Sequence, residues 1–373
     1  MRRSVFVVAC LFLFSGLLPR NSVAQDRVTP SDRVSTRLNV RAQPDAGSNV
    51  IGSLQPGQSA ELLESIPNWY RVRLQNSQEG FVNKAWAKIA SATESTAEFI
   101  RLGSWNIKKL GHGSSTDFPV LAKIINENYD IIAVIEVMQK QRAHPGYDSL
   151  LNTLGSSWSG MVTDKPRPNN SDSNSEFYAI LYRTAAIRPC SGWKSLVYHK
   201  DNDGGPNGIG PDYFSREPAF GCFEAPLKNN QVEFDFLLAG YHARWEGGDT
   251  NATIAEAGHL KEVFQSMAQA RPGEKDLIIA GDFNLVPSQL QKIFPNGDRT
   301  TGTGSTLNSS GSRTANLYDH LLVYDTYGTS EMIGNAEVLD LRSKASSNTT
   351  FFKTVSDHLP IVVKMRSSGP DDD

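Results

Sequence analysis

The chain has 373 residues, 39% of them hydrophobic and 21% charged, with a formal net charge of −3. The length exceeds one ordinary small domain, and the composition excludes a fibrous or largely disordered chain. No overall basic field advertises a polyanion partner, although a bound divalent cation can supply local positive charge to an acidic cleft.

Residues 1–24 read as an export leader. Arg2 and Arg3 precede the apolar run Val5–Leu18, and Ser22-Val23-Ala24 is a small-x-small cleavage site. The run is short for a membrane anchor, and no later stretch is apolar enough to cross a bilayer. The expectation is a secreted or periplasmic protein. Such compartments permit disulfides, and Cys190 and Cys222 remain once the leader, with Cys10, is removed. Their bridge would close a loop of about 30 residues and contribute roughly 3 kcal/mol in the chain-entropy model. Two buried thiols are the alternative.

Residues 25–91 carry short alternating runs at Arg37–Arg41, Val50–Leu54, Ser59–Leu63, Trp69–Leu74 and Glu79–Val82, separated by turns such as Pro44-Asp45-Ala46-Gly47 and Pro56-Gly57. This spacing predicts a small all-β barrel. The opening LNVR-x-x-P and the strand WYRVRL resemble the bacterial SH3-like family. The resemblance implies a binding or anchoring module with a cell-wall or peptide ligand. No acid, base or metal cluster lies within it.

Residues 92–98 are small and polar and read as a linker. From Phe99 the pattern changes. Apolar runs at Phe99–Leu102, Ile131–Ile135, Phe177–Tyr182, Phe234–Ala239, Leu277–Ala280, Leu321–Val323 and Ile361–Val363 alternate with helical spacing at Val120–Asn128 and Ile254–Ala270. Strands apolar on both faces suit sheets covered on both sides. Residues 366–373 read as an acidic tail.

Residues that bind metal or carry protons flank these runs: Asn106, Glu136, Glu176, His242, Asp282, Asn284, Asp319, Asp357 and His358. Singly, each is an ordinary cap, turn or surface residue. Their recurrence at strand ends predicts one site for metal-assisted phosphoryl chemistry. Asp282 and Asn284, two apart in LIIAGDFN, are expected to point the same way along a strand. The Asp357-His358 pair offers a metal ligand beside an imidazole.

The motifs SWNIKKLG, IEVMQ, SEFYAILYR, FSREPAF, GYHARW, AGDFN, YDHLLV and SDHLP occur in this order within residues 99–365. Together they resemble the endonuclease/exonuclease/phosphatase superfamily, and pancreatic-type deoxyribonucleases in particular. The resemblance implies an α/β (α+β) four-layer sandwich of two mixed β-sheets flanked by helices. It implies Glu136 as the principal Mg²⁺ or Mn²⁺ ligand, supported by Asn106 and Asp357, oxygen donors that suit hard cations. His242 would pair with Glu176 and His358 with Asp319, each carboxylate fixing a tautomer and raising basicity. One imidazole would activate water and the other protonate the leaving oxygen, in an order left open. Asp282 and Asn284 would hold the nucleophile, metal or scissile phosphate. A structural Ca²⁺ would sit on Asp203, Asp212 and Glu217, with a solvated acidic loop as the alternative. Arg216 would clamp phosphate or pair with a nearby acid.

The departures bear on substrate. Pancreatic-type enzymes carry a groove-reading Arg and Tyr where this chain has Met138 and Asn174. Lys108, Lys109, Lys140 and Arg142 could supply sequence-independent DNA backbone contacts or form ordinary solvated surface. The implied function is an exported, divalent-metal-dependent nuclease that cuts DNA with low sequence specificity. A sphingomyelinase-like or other phosphodiesterase or phosphatase is the alternative within the superfamily. A surface-binding protein with an inactive catalytic-like domain is the alternative from another class.

Overall fold

The computed structural model describes residues 27–90, apart from 32, 35, 55–59 and 75–77, and residues 99–367, apart from 113–114, 141–142, 164–175, 202–212, 227–231, 246, 248–249 and 324–330. The expected leader, the linker and the tail beyond Ser367 lie outside the described residues, as do Arg142, Asn174, Asp203 and Asp212. The chain divides into two units between residues 93 and 94. No helix among the described residues is long and apolar enough to cross a membrane.

In the first unit, β1 (Arg27–Pro30), β2 (Leu38–Arg41), β3 (Val50–Leu54), β4 (Ala60–Ile66), β5 (Trp69–Arg73), β6 (Glu79–Asn83) and β7 (Ala87–Ala90) form one sheet in the order β3-β2-β6-β5-β4-β1-β7. Alternation builds it: Leu38 and Val40 enter a core with Leu54, Val72 and Val82, while Asn39 and Arg41 stay partly exposed. Gly80 allows β2 to approach β6, because a Cβ there would meet Val40 Cγ1 at 2.6 Å and the Arg41 carbonyl oxygen at 2.9 Å. β1 and β7 carry too few apolar residues to stand out in sequence. They pair with each other in the register Val28↔Ile89, which puts Val28 into the core.

The second unit contains β8 (Phe99–Leu110), α1 (Phe118–Asn128), β9 (Ile131–Met138), α2 (Pro145–Leu154), β10 (Trp158–Val162), β11 (Glu176–Arg183), β12 (Arg188–Pro189), β13 (Val197–Tyr198), β14 (Ala219–Pro226), β15 (Val232–His242), α3 (Thr250–Gly258), α4 (Leu260–Ala270), β16 (Leu277–Asp282), α5 (Pro287–Ile293), β17 (Thr300–Thr301), β18 (Asp319–Val323), β19 (Met332–Val338), α6 (Asn348–Thr354) and β20 (Ile361–Arg366). Two mixed sheets result, β10-β11-β9-β8-β20-β19-β17 and β12-β14-β15-β16-β18, with β13 pairing β14. β8 and β9 run parallel, as do β15 and β16. β11, β20 and β18 run antiparallel to β9, β8 and β16.

The period of two places the layers. Along β9, Ile131, Ala133 and Ile135 join the core between the sheets, while Ile132 and Val134 pack under α1 and α2. Along β15 and β16, Leu238, Ile278 and Ala280 join the inner core, while Leu237, Ala239, Leu277 and Ile279 pack beneath α4 and α5. The expected four-layer sandwich is present.

Helix α1 begins where the Asp117 carboxylate accepts from the Val120 amide at 3.1 Å, and it buries Leu121, Ile124 and Ile125 at helical spacing. The single helix expected over Ile254–Ala270 is instead two, α3 and α4. Gly258 weakens the helix, and the His259 amide donates to the Glu256 carbonyl at 3.0 Å, an i→i−3 closure that ends α3. Cys190 and Cys222 form the disulfide, with Cα atoms 5.4 Å apart. At the entry to β9, Asp130 accepts from Arg101 Nε at 3.0 Å and Arg183 Nε at 3.2 Å. That charged cluster staples β8, β9 and β11 at the end opposite to Glu136.

Candidate active site

Strand direction explains why the polar residues meet. The parallel strands β8, β9, β15 and β16 reach one edge of the sandwich with Asn106, Glu136, His242 and Asp282. The antiparallel strands β11 and β18 start there with Glu176 and Asp319, and His358 lies just before β20. Cross-strand register sets His242 opposite Asp282, and Asp282 opposite Asp319. Each polar residue extends the inward file of its strand: Asn106 follows Leu102, Glu176 precedes Tyr178 and Ile180, and Asp319 precedes Leu321 and Val323.

Glu136 is the exception to regular strand geometry. It has φ 61°, and Lys109, across from it on β8, has φ 47°. The β8–β9 register shifts between Asn106 and Leu110, and the β9–β11 register shifts opposite Phe177–Ala179. Bulges re-aim side chains, and left-handed backbone at non-glycine residues persists where surroundings enforce it. Here the enforcing contacts are visible. The Lys109 amide donates to Glu136 Oε2 at 2.9 Å, and Asn106 Nδ2 donates to Glu136 Oε1 at 3.0 Å.

The centre is Asp282. Asn106 Nδ2 donates to its Oδ2 at 3.1 Å, joining the two sheets. His242 Nε2 lies 3.7 Å and His358 Nε2 3.6 Å from the same oxygen. The far nitrogen of each ring is held by its own carboxylate: His242 Nδ1 is 2.7 Å from Glu176 Oε2, and His358 Nδ1 is 2.7 Å from Asp319 Oδ2. The His242 amide donates to the Tyr178 hydroxyl at 3.2 Å. Ser356 Oγ donates to the Asn106 carbonyl at 2.6 Å and accepts from the His358 amide at 3.0 Å, fixing the His358 backbone against β8.

Burial by itself would raise the Glu176 carboxyl, but the hydrogen bonds and charges of His242 and Arg216 outweigh it and hold the group down to about 2. Burial disfavours a charged His358 ring, yet the charges of Asp319 and Asp282 and the Asp319 hydrogen bond outweigh that and raise it to about 10. For Glu176 the sign is that of a depressed carboxylate. Its contribution to stability is complete above the ordinary value of 4.5 and is lost as pH falls toward about 2. Urea midpoints measured across that window fall more steeply for the wild type than for Glu176→Gln. Parallel curves would mean that the native contacts of Glu176 add nothing.

Arg216 meets Glu176 with Nε 2.7 Å from Oε2 and Nη2 donating to Oε1 at 3.1 Å, while Nη1 donates to the Ala243 carbonyl at 3.3 Å. Arg216 thus takes the role of partner to a nearby acid, one of the two expected for it. Asn284 departs from the shared strand face expected with Asp282. β16 stops at Asp282 and Asn284 has φ 49°. Its amide nitrogen donates to Asp282 Oδ1 at 3.0 Å and its side chain to the Ala243 carbonyl at 3.0 Å, so it braces the turn after His242.

The donor set suits a hard divalent cation. Asn106 Oδ1 is buried without a hydrogen-bond partner, next to a carboxylate that its own amide already holds. Asp357 ion-pairs with Lys108 Nζ at 2.9 Å. Glu217 is buried, and so is Asp201, two residues before Asp203, with its Oδ2 accepting from the Tyr213 amide at 2.7 Å. Among the described residues, one group of three His, Cys, Asp or Glu donors is dense enough for an ion, namely Cys190, Cys222 and Asp235, and there the disulfide leaves no thiolate. Met138, opposite Glu176, is buried and presents no surface contact.

Tyr178 and Ser356, within SEFYAILYR and SDHLP, do not stand out in the sequence as site residues. Their hydroxyls act on the backbone beside a histidine, and no residue-type pattern marks that. A third imidazole, His320, lies 3.0 Å from Asp298, with Nε2 near the Leu285 and Leu317 carbonyls. It sits one residue from Asp319 and therefore on the opposite face of β18, outside the site.

Family models match two segments: the bacterial SH3 domain over residues 36–88 and the endonuclease/exonuclease/phosphatase family over residues 103–358. A deoxyribonuclease of Thioalkalivibrio sp. (strain K90mix) is 30% identical over 280 residues, covering 71% of this chain and 70% of that protein. Deoxyribonuclease-1 of Mus musculus is 25% identical over 294 residues, covering 72% of this chain and 92% of that protein. A solved endonuclease/exonuclease/phosphatase family protein from Bacteroides thetaiotaomicron shares the fold, with a TM-score of 0.50 and 17% identity over 72% of this chain and 98% of that one.

Proposed function

The chain belongs to the endonuclease/exonuclease/phosphatase family, and from that premise we propose that it is an exported, divalent-metal-dependent nuclease that hydrolyses DNA phosphodiester bonds with little sequence preference. One observation carries the reading: two imidazoles, held at Nδ1 by half-buried Glu176 and buried Asp319, present Nε2 within 3.7 Å of one Asp282 oxygen. Hydrolysis of a phosphodiester needs one proton taken from water and another given to the leaving oxygen, and paired imidazoles on one centre suit both tasks. Deoxyribonuclease relatives support DNA as the polymer. The Cys190–Cys222 bridge supports an oxidising compartment, in keeping with the leader.

In this reading Glu136, Asn106 and Asp357 would hold Mg²⁺ or Mn²⁺, which supplies charge stabilisation on the phosphoryl oxygens. His358, which its carboxylates hold protonated, donates to the leaving oxygen. His242, fixed by Glu176 and Arg216, accepts the proton of the attacking water. The SH3-like unit localises the enzyme through a cell-wall or peptide ligand. The test compares plasmid DNA, sphingomyelin and a phosphomonoester as substrates for the full chain in Mg²⁺. Cleavage of DNA well above the other two is expected, and lipid or monoester hydrolysis without DNA cleavage would overturn the assignment.

A further inference from the structure

Trp245 is 55% exposed, three residues beyond His242. A large indole left in water calls for an explanation when the chain leading to it is tightly held. The preceding residues are held at every polar backbone atom. The Ala243 amide donates to the Asp282 carbonyl at 2.8 Å, and the Ala243 carbonyl accepts from Arg216 and Asn284. The Arg244 amide donates to the buried Glu256 at 3.0 Å, and the Arg244 carbonyl accepts from Thr253 Oγ at 3.2 Å. The indole leans on Tyr318, with ring centroids 5.9 Å apart at an interplanar angle of 52°. Tyr318 is itself held beside Asp319, its amide donating to Ser305 Oγ at 3.0 Å and its carbonyl accepting from the Phe283 amide at 2.8 Å. Asp282, Arg216 and Asn284, which belong to the site, therefore also hold Ala243, two residues before the ring. A pre-positioned aromatic face beside a phosphodiester site matches the chemistry of a base next to the cut, since stacking demands a flat partner and tolerates any base.

We propose that the exposed face of Trp245 is a stacking platform for an unpaired nucleobase adjacent to the scissile phosphate, with Tyr318 as the positioning residue that holds the indole. The proposal rests on the nuclease reading and specifies its substrate: a strand whose bases are free to leave their neighbours. A base inside a duplex has both faces already covered, so single strands and frayed ends are favoured.

The experiment uses the full chain in Mg²⁺ and a single-stranded oligonucleotide with one cleavable linkage, intact or abasic on both sides of it. On the intact strand Trp245→Ala raises KM about tenfold, and Trp245→Phe restores most of the loss. On the abasic strand the wild type shows the same rise and Trp245→Ala adds less than twofold. An equal Trp245→Ala penalty on both strands, or none on the intact one, overturns stacking while leaving the nuclease assignment standing. Loss of binding to phosphatidylcholine–sphingomyelin vesicles in Trp245→Ala, with oligonucleotide KM unchanged, overturns it in favour of lipid docking. A wild type that nicks plasmid but cuts neither strand also overturns it, whereas a wild type that cuts no DNA at all overturns the underlying nuclease reading.

Discussion

Replacing either His242 or His358 with alanine lowers the single-turnover rate of DNA cleavage by about 10²–10⁴-fold, with a much smaller change in KM. The expectation follows from where the rings are held. Each Nδ1 is engaged by a carboxylate, and each Nε2 stands too far from Asp282 Oδ2 for a hydrogen bond, at 3.7 and 3.6 Å. The two Nε2 atoms thus converge on one point with their proton-transfer capacity intact. Because the rings would act on a single phosphate, their losses are not additive, and the double variant falls little below the worse single one. A substrate with sulfur in place of the bridging leaving oxygen divides the roles, since thiolate departs without protonation. His358→Ala regains activity on it and His242→Ala does not. The reverse pattern would exchange the donor and acceptor assignments.

Glu136→Gln is the second large effect, a fall of about 100-fold in cleavage at fixed Mg²⁺ with a Mg²⁺ requirement raised more than about tenfold, at or beyond what losing an outer-shell partner costs a metal site. Glutamine keeps the size of the side chain and can still accept from the Lys109 amide, so the strained φ of 61° is preserved. What disappears is the negative charge. A titration of cleavage rate against Mg²⁺ measures the effect. A curve superimposable on the wild type would remove Glu136 from the metal set and leave Asn106 and Asp357 to explain the donor chemistry. Asp357 would be a poor sole anchor, because Lys108 already neutralises it.

Much of this site is legible in the sequence because the strands that carry it are plain. Runs such as Phe177–Tyr182 and Leu321–Val323 alternate between two packed layers, so Glu176 and Asp319 before them fall on a predictable face. The pairs His242–Glu176 and His358–Asp319 are legible through the family resemblance of the motifs, and the structure brings each pair together. Backbone departures from regular strand are not legible in this way. The left-handed φ values of Glu136 and Asn284 depend on hydrogen bonds from Lys109 and to Ala243, partners set by tertiary packing. Reading Asp282 and Asn284 as neighbours on one strand face fails for that reason. The break at His259 was hidden because the apolar period continues through it, while Gly258 and the Glu256 carbonyl end α3 locally. Arg216 shows a related limit. A guanidinium fits phosphate and carboxylate equally well, and its choice of Glu176 depends on β11 and the segment before β14 arriving together.

The most direct measurement is the nicking of supercoiled plasmid by the purified full chain, with Mg²⁺ and then with excess chelator, beside His242→Ala and His358→Ala. The account predicts open-circle product with the cation, none with chelator, and loss of at least about 100-fold in each variant. Nicking that persists in chelator, or a variant that nicks like the wild type, would contradict it.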